Sequence, residues 1–340
     1  MSSSPSGGSP RSLLPPLLLS DRPPGTYGDR IQTKSSHHFR GISCQLGCLP
    51  VDPLDSKHET LAAAISKYQA DAIALQEIGL NFSHCGVQGQ WTSRMAYNKW
   101  FDLHCVKHVL AWNKTDQCRS VRQWGGTGIL AIGQTAHHAA GSGIDPTNLG
   151  RWCWTRYRGS NGILFRLYSI YRPSDNSTGQ LSVYAQHQRY LLDKGDNRPP
   201  RLAFLQDLAI DIQLASQAGE MIIVCGDINQ DVTEASIESY FVSLGLQNLI
   251  FSRHPAASAP ATYNRNTSQT SIDGVWASAH LNLVRGGYLD FDDFPGDHRA
   301  IWFDISVTQL FGHHLTPVWK PQACRLQLCD PELSIAITRY

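Results

Sequence analysis

Met221-Ile222-Ile223-Val224-Cys225-Gly226-Asp227-Ile228-Asn229 is an apolar run that ends on an acid and an amide. Such a run reads as a buried strand whose polar end emerges at the edge of a sheet. In α/β proteins the residues that follow strand ends usually carry the chemistry. The same pattern recurs up and down the chain. Ala72-Ile73-Ala74-Leu75 leads into Gln76-Glu77, and Ser169-Ile170-Tyr171-Arg172-Pro173 ends another strand. Ser271-Ile272-Asp273 opens a third, and Phe294-Pro295-Gly296-Asp297-His298 precedes the apolar stretch 300–305.

Between these strands lie helical patterns. Residues 56–68 place Leu61, Ala64, Ile65 and Tyr68 on one face, with Ser56 and Glu59 spaced as a capping box. Further helices are expected over 184–192 and over 202–216, the latter with a stripe of Leu202, Leu205, Leu208, Ala209 and Ile212. A last one, capped by Thr233, runs to Leu244 with Gly245 just beyond it. Residues 152–157 and 162–171 read as hairpin neighbours, and Gly125-Gly126 as a tight turn into the strand that follows. Strands outnumber helices and occur both as hairpins and as strand-helix-strand units. The expected fold is α/β, a four-layer α/β/β/α sandwich with two mixed β-sheets. Its domain spans 39–308. A Ser/Pro/Gly-rich tail over 1–38 precedes it, and a linker or tail over 309–340 follows.

Composition narrows the class further. With 340 residues, 41% hydrophobic and 17% charged, the chain can bury a sizeable core. A net charge of +1 gives no global attraction to nucleic acid, so such a partner must be held locally. The 9 cysteines are scattered without a CxxC pair, which points to reduced thiols inside a cell. The 14 histidines lack zinc-site spacing. No run approaches the roughly 18 apolar residues of a membrane span. The leucines of Leu13-Leu14-Pro15-Pro16-Leu17-Leu18-Leu19 are too few and too interrupted for a signal peptide.

Each strand-end residue has a chemical and a plain reading. Glu77 suits Mg²⁺, which takes one or two hard oxygens and keeps water and phosphate as its other ligands; a solvated strand-end acid is the plain alternative. Asp227 and Asn229 alternate about Ile228, so an extended backbone would point both side chains one way. There the acid would orient or deprotonate a water and the amide would hold it. The same letters satisfy an Asx turn. His298 could stabilise a phosphate with Asp273 fixing its tautomer, or be an ordinary loop residue. The Tyr171 phenol could donate to a phosphate oxygen, or be an aromatic at a strand end.

Taken in order, Gln76-Glu77, Tyr171-Arg172-Pro173, Gly226-Asp227-Ile228-Asn229, Ser271-Ile272-Asp273 and Gly296-Asp297-His298 resemble the endonuclease/exonuclease/phosphatase superfamily over about residues 40–307. The resemblance implies a Mg²⁺-dependent phosphoesterase site, with Mn²⁺ as the alternative ion. It assigns Glu77 and Asp297 to the metal, and Tyr171, Asp227, Asn229, Asp273 and His298 to catalysis. One position departs from the pattern. Gln45 stands where the superfamily has an asparagine metal contact, and Gly47-Cys48 replace an Asn-Gly turn. Its extra methylene shifts the amide by more than about 1 Å, enough to cost on the order of 100-fold in rate.

Among the branches, the Tyr171-Arg172-Pro173 strand end is similar to that of non-LTR retrotransposon endonucleases, and 321–340 to the connector before a reverse transcriptase. Arg151, Arg156, Arg158, Arg166 and Arg172, interleaved with Trp152, Trp154 and Tyr157, form a stretch without acids. It suits phosphate contact and stacking, or is a solvated basic hairpin face. The expected function is a monomeric, intracellular (in the nucleus, given the substrate) endonuclease that nicks DNA, with RNA as the second substrate. A nick leaving a 3′-hydroxyl would follow from water attack. Alternatives are a phosphatase or phosphodiesterase for a small molecule or lipid headgroup, and a decayed retroelement remnant.

Overall fold

The computed structural model describes residues 27–315, apart from 53–54, 85–105, 116–119, 176–178 and 265–268. The expected tails at 1–26 and 316–340 lie outside the described residues, as does the connector over 321–340. In chain order the first half runs β1 (Tyr27–Gly28), β2 (His38–Gln45), α1 (Ser56–Tyr68), β3 (Ala72–Gln76), β4 (Val106–Ala111), β5 (Thr127–Ile132) and α2 (Gln134–His138). Next come β6 (Ala139–Ile144), β7 (Trp152–Arg158), β8 (Leu164–Tyr171), α3 (Val183–Asp193), α4 (Pro200–Gln217) and β9 (Met221–Asp227). The chain closes with α5 (Ala235–Ser243), β10 (Leu246–Asn248), β11 (Asp273–Ser278), β12 (Leu283–Tyr288), β13 (Ile301–Ser306) and α6 (Val307–Phe311).

Two mixed sheets result, one ordered β1-β12-β13-β2-β3-β5-β4 and the other β10-β11-β9-β8-β7-β6. Each has a single parallel pair, β2 with β3 and β8 with β9. Strand alternation explains the layers. Ile223 and Cys225 of β9 and Ala72 and Ala74 of β3 point into the core between the sheets. Ile222 and Val224 face outward against Phe204, Leu208 and Ile212 of α4, while Ile73 and Leu75 face Leu61 and Ile65 of α1. A strand covered on both faces needs apolar residues at every position, hence the unbroken Met221–Cys225 run. The four-layer sandwich stands as expected.

Local details depart from the sequence reading. Helix α1 is capped by Asp55, which accepts from Lys57 N at 2.9 Å, and not by Ser56. The Thr233 hydroxyl turns back to Asp231, leaving Glu234 as the cap of α5. On α4 the buried stripe is Ala203, Phe204, Leu208, Ile212 and Ala215, and Leu202 is exposed. The folded unit also reaches further at both ends. Tyr27–Gly28 pairs with Tyr288 and Gly287, and Leu310 and Phe311 of α6 are buried in the inter-sheet core. Residues 27–38 and 309–311 thus belong to the domain, because their apolar side chains find partners far along the chain.

Candidate active site

Topology brings the strand ends together. Parallel pairing puts the C-terminal ends of β2 and β3 side by side, with Gln45 opposite Gln76. The other parallel pair sets Tyr171 opposite Asp227, and antiparallel β11 sets Asp273 opposite Asp227. β13 pairs with β2 through Ile301 and Ser43, so His298, just before it, hangs over the same edge. Glu77, Tyr171, Asp227, Asn229, Asp297 and His298 line one open cavity of about 660 Å³, with Gln45 at its wall. Residues more than two hundred positions apart therefore share one site.

Backbone at this edge is held in unusual conformations. Gly226 allows the close β8–β9 approach, since a Cβ there would lie 2.2 Å from Ile170 O. Gly296 has φ +133, and its Cβ would lie 2.5 Å from Gln45 O. That glycine lets the Asp297-His298 loop sit directly on β2. Glu77 and Asn229 are non-glycine residues at φ +49 and +51, the kind of strain that persists where surroundings over-determine it. Asn229 therefore does not continue the strand, and its side chain is not set beside that of Asp227 by extended alternation. Instead Asn229 N donates to Asp227 Oδ1 at 2.7 Å, an Asx turn that aims the carboxylate, while its amide donates to Arg172 O at 2.7 Å.

His298 Nδ1 lies 2.7 Å from Asp273 Oδ2, with both groups buried. Burial alone would push the His298 pKa down, but the charge and hydrogen bond of Asp273, with Asp227 and Asp297, raise it to about 9. The ring is an imidazolium donor at neutral pH. Thr262 holds this dyad in place: its hydroxyl accepts from Ile272 N at 2.9 Å, and its carbonyl accepts from Arg299 N at 2.7 Å. Burial, then the neighbouring Asp273 charge, drives the Asp227 pKa well above the carboxylate range. Burial and the charges of Glu77 and Asp227 keep Tyr171 a neutral phenol, to which the Asn229 amide also bonds.

The donor set fits a divalent cation on the Glu77 side. Burial, only partly offset by the charge of His298, and the nearby Asp297 charge raise the Glu77 pKa to about 7. A carboxylate short of countercharge, facing a cavity with a second acid beside it, is where a hard cation is stabilising. Asp227, Asp273 and His298 also cluster, with ligand atoms within 4.8 Å. That trio is the poorer metal site, since its imidazole is protonated and already bonded to Asp273, and Mg²⁺ prefers oxygen. Gln45 is engaged differently from a simple ligand. Its amide NH₂ makes a short hydrogen bond to Glu77, and its Oε1 accepts from Gly47 N at 2.7 Å.

Basic residues expected at a nucleic-acid surface are mostly spent inside the protein. Arg151 is 1% exposed and paired with Asp145 at 2.7 Å and Asp207 at 2.8 Å. Arg156 and Arg166 face Glu220. Arg172 is buried, donates to Gln230 Oε1 at 2.6 Å, and is pushed down to about 10 by burial and Arg201. Arg158 is exposed, but it ends β7 opposite Leu164, away from the Tyr171 end of β8. The acids missing from the local stretch come from Asp145, α4 and Glu220. Arg151 and Arg166 are thus held in ion pairs and Arg172 in a buried hydrogen bond, while Arg156 and Arg158 remain at the surface.

Four cavity residues, Lys57, Trp124, Ser174 and Tyr263, escaped the sequence reading of the site. Lys57 of α1 donates to Gly47 O at 3.1 Å and Cys48 O at 2.8 Å, bracing the turn after Gln45. Tyr263 packs on His298 with ring centres 4.8 Å apart. Trp124 stands at the rim. None belongs to a strand-end acid pattern, so nothing local marked them.

Residues 46–298 match the model of the Endonuclease/Exonuclease/phosphatase family. No curated protein matches. Among solved structures, the human Nocturnin catalytic domain with bound sulfate superposes at TM-score 0.55 and 18% identity, covering 84% of this chain and 99% of that one. The AP endonuclease LMAP of Leishmania major gives 0.60 at 12% identity, covering 80% and 88%. A mannosyl-6-phosphatase of Bacteroides thetaiotaomicron gives 0.52 at 12%, covering 78% and 99%. At these identities the likeness concerns the fold. No helix among the described residues is long and apolar enough to cross a membrane.

Proposed function

Given that this chain belongs to the Endonuclease/Exonuclease/phosphatase family, whose members hydrolyse phosphate esters, we propose that it is a metal-dependent endonuclease. It would nick DNA, with RNA the second candidate, in the manner of a retrotransposon-type enzyme. The observation that carries this is the meeting of Glu77, Asp227 and the Asp273–His298 pair in one open cleft. When bound, Mg²⁺ or Mn²⁺ would sit by Glu77 and Asp297 and neutralise charge on the phosphate and the leaving oxygen.

The chain's own groups would divide the remaining work. Asp227 would act as its carboxylate, orienting the attacking water and taking its proton, and burial beside the Asp273 charge, by raising its pKa, makes it a stronger base. The Asn229 turn fixes that carboxylate in direction. The His298 imidazolium donates to a phosphate oxygen as negative charge builds, with Asp273 holding the ring. The Tyr171 phenol, protonated throughout, supplies a second donor. Attack opposite the leaving oxygen would form a bond from the water oxygen to phosphorus as the bond to the 3′ oxygen breaks. That oxygen takes a proton from solvent to become the 3′-hydroxyl, and the phosphate stays on the 5′ side.

The test is nicking of supercoiled plasmid by the purified protein with Mg²⁺, against EDTA and against Asp227→Ala. Nicking that requires the metal and vanishes in the variant supports the assignment. Equal nicking by Asp227→Ala refutes the site. Turnover of a sugar or inositol phosphate with no plasmid nicking would shift the substrate class to small molecules.

A further inference from the structure

Resting on the nucleic-acid reading of this site, we propose that Trp124 is a stacking platform for an unpaired nucleobase next to the scissile phosphate. The preferred substrate is then a strand with a locally unpaired base and not a continuous duplex. Trp124 is 54% exposed and lines the same cavity as Glu77 and Asp227. Among the described residues it is the only Phe, Tyr or Trp that is exposed; the others are buried or partly buried. A large indole left open at a polar catalytic cleft is surface whose burial a ligand can supply.

The backbone that carries Trp124 is fixed relative to the chemistry. Gln123 N donates to Gly79 O at 3.2 Å and Gly79 N donates to Gly125 O at 2.9 Å, bracketing Trp124 between two backbone bonds. Gly79 lies two residues beyond Glu77. Buried Gln123 anchors to Asn113 O at 2.9 Å, and Arg122 to Leu49 O at 2.8 Å. With its backbone fixed, an indole has only two side-chain torsions to lose on binding. The cavity wall sets three carboxylates, Glu77, Asp227 and Asp297, against the single lysine Lys57, so electrostatic grip on a phosphate backbone is weak here. Stacking is the recognition this lip offers, and it is tolerant of base identity. A paired base inside a duplex has both faces covered by its neighbours, which leaves none for the indole.

Full-length protein is titrated, with chelator present, against fluorescently labelled oligothymidylate and against a fully paired duplex of equal length. Trp124→Ala should weaken single-strand binding about 5- to 150-fold, and Trp124→Phe far less, as base–aromatic stacking predicts. Duplex binding should change less than about 2-fold, and thermal melting should show both variants folded. In nicking assays Trp124→Ala should raise KM more than it lowers kcat. Unchanged oligonucleotide binding, equal losses on both substrates, or no oligonucleotide binding by the wild type overturns the proposal. A loss confined to sugar-phosphate hydrolysis overturns it too. Trp124-dependent binding without any nicking supports the platform while refuting the endonuclease assignment.

Discussion

Replacing Asp273 by Asn tests the electrostatic core of the site with almost no change of shape. In the wild type, His298 sits near pKa 9, against the ordinary 6.5, because Asp273 outweighs burial. At roughly 1.36 kcal/mol per pKa unit, that preference for the charged ring is worth about 3 kcal/mol. The sign follows from linkage. A base whose folded pKa is raised contributes stability fully present below about pH 6.5 and lost as pH rises through about 9. Asp273→Asn removes the carboxylate, so the His298 pKa falls steeply, held up only by the Asp227 and Asp297 charges. The Asp227 pKa falls as well, since a neighbouring like charge is gone. The first effect destabilises and the second relieves repulsion, so the pH dependence is more diagnostic than a single melting temperature. In chelator, the wild-type midpoint should fall between pH 6.5 and 9 by an amount the variant largely lacks, on the order of 5–10 °C for such an energy. NMR titration of the His298 ring reads the pKa directly, and nicking at pH 7 should drop by about 10²–10⁴ as the donor is lost. A wild-type ring titrating near 6.5, or an unchanged ring pKa in the variant, would show that Asp273 does not hold the charge on His298.

Gln45→Asn withdraws the amide from Glu77 and from Gly47 N, and should raise nicking and tighten Mg²⁺ binding measured by calorimetry; no gain would mean the slot tolerates glutamine. Gly296→Ala forces a Cβ toward Gln45 O at a left-handed φ, displacing Asp297 and His298. Activity should fall by on the order of 100-fold in steady-state assays. Arg151→Ala strands the buried Asp145 carboxylate, so denaturant unfolding should show a loss of about 3–5 kcal/mol. The salt dependence of oligonucleotide binding should be unaltered; a shallower salt slope would instead put Arg151 at the interface.

Local pattern sufficed for the central strands and for the acids, amide and imidazole at their ends, but not for β1, β4, β6 and β10. Apolar runs such as Met221–Cys225 and turn glycines such as Gly226 and Gly296 are constraints each segment satisfies by itself. Ordered motifs then named the family, and the cavity gathers the residues they marked. Misreadings came where a side chain's fate depends on distant sequence. Arg151 looked like a surface cation because its own segment has no acid, yet Asp207 meets it from α4, 56 positions away. For Gln45 the letters show only an amide one methylene longer than asparagine, and packing decides that it bonds Glu77 and Gly47 N. Trp124 carries no local signature at all; its exposure at the rim comes from the backbone bonds to Gly79. Periodicity and turn chemistry act over a few residues and can be read from letters. Burial and charge pairing are made between elements, so only the folded chain decides them.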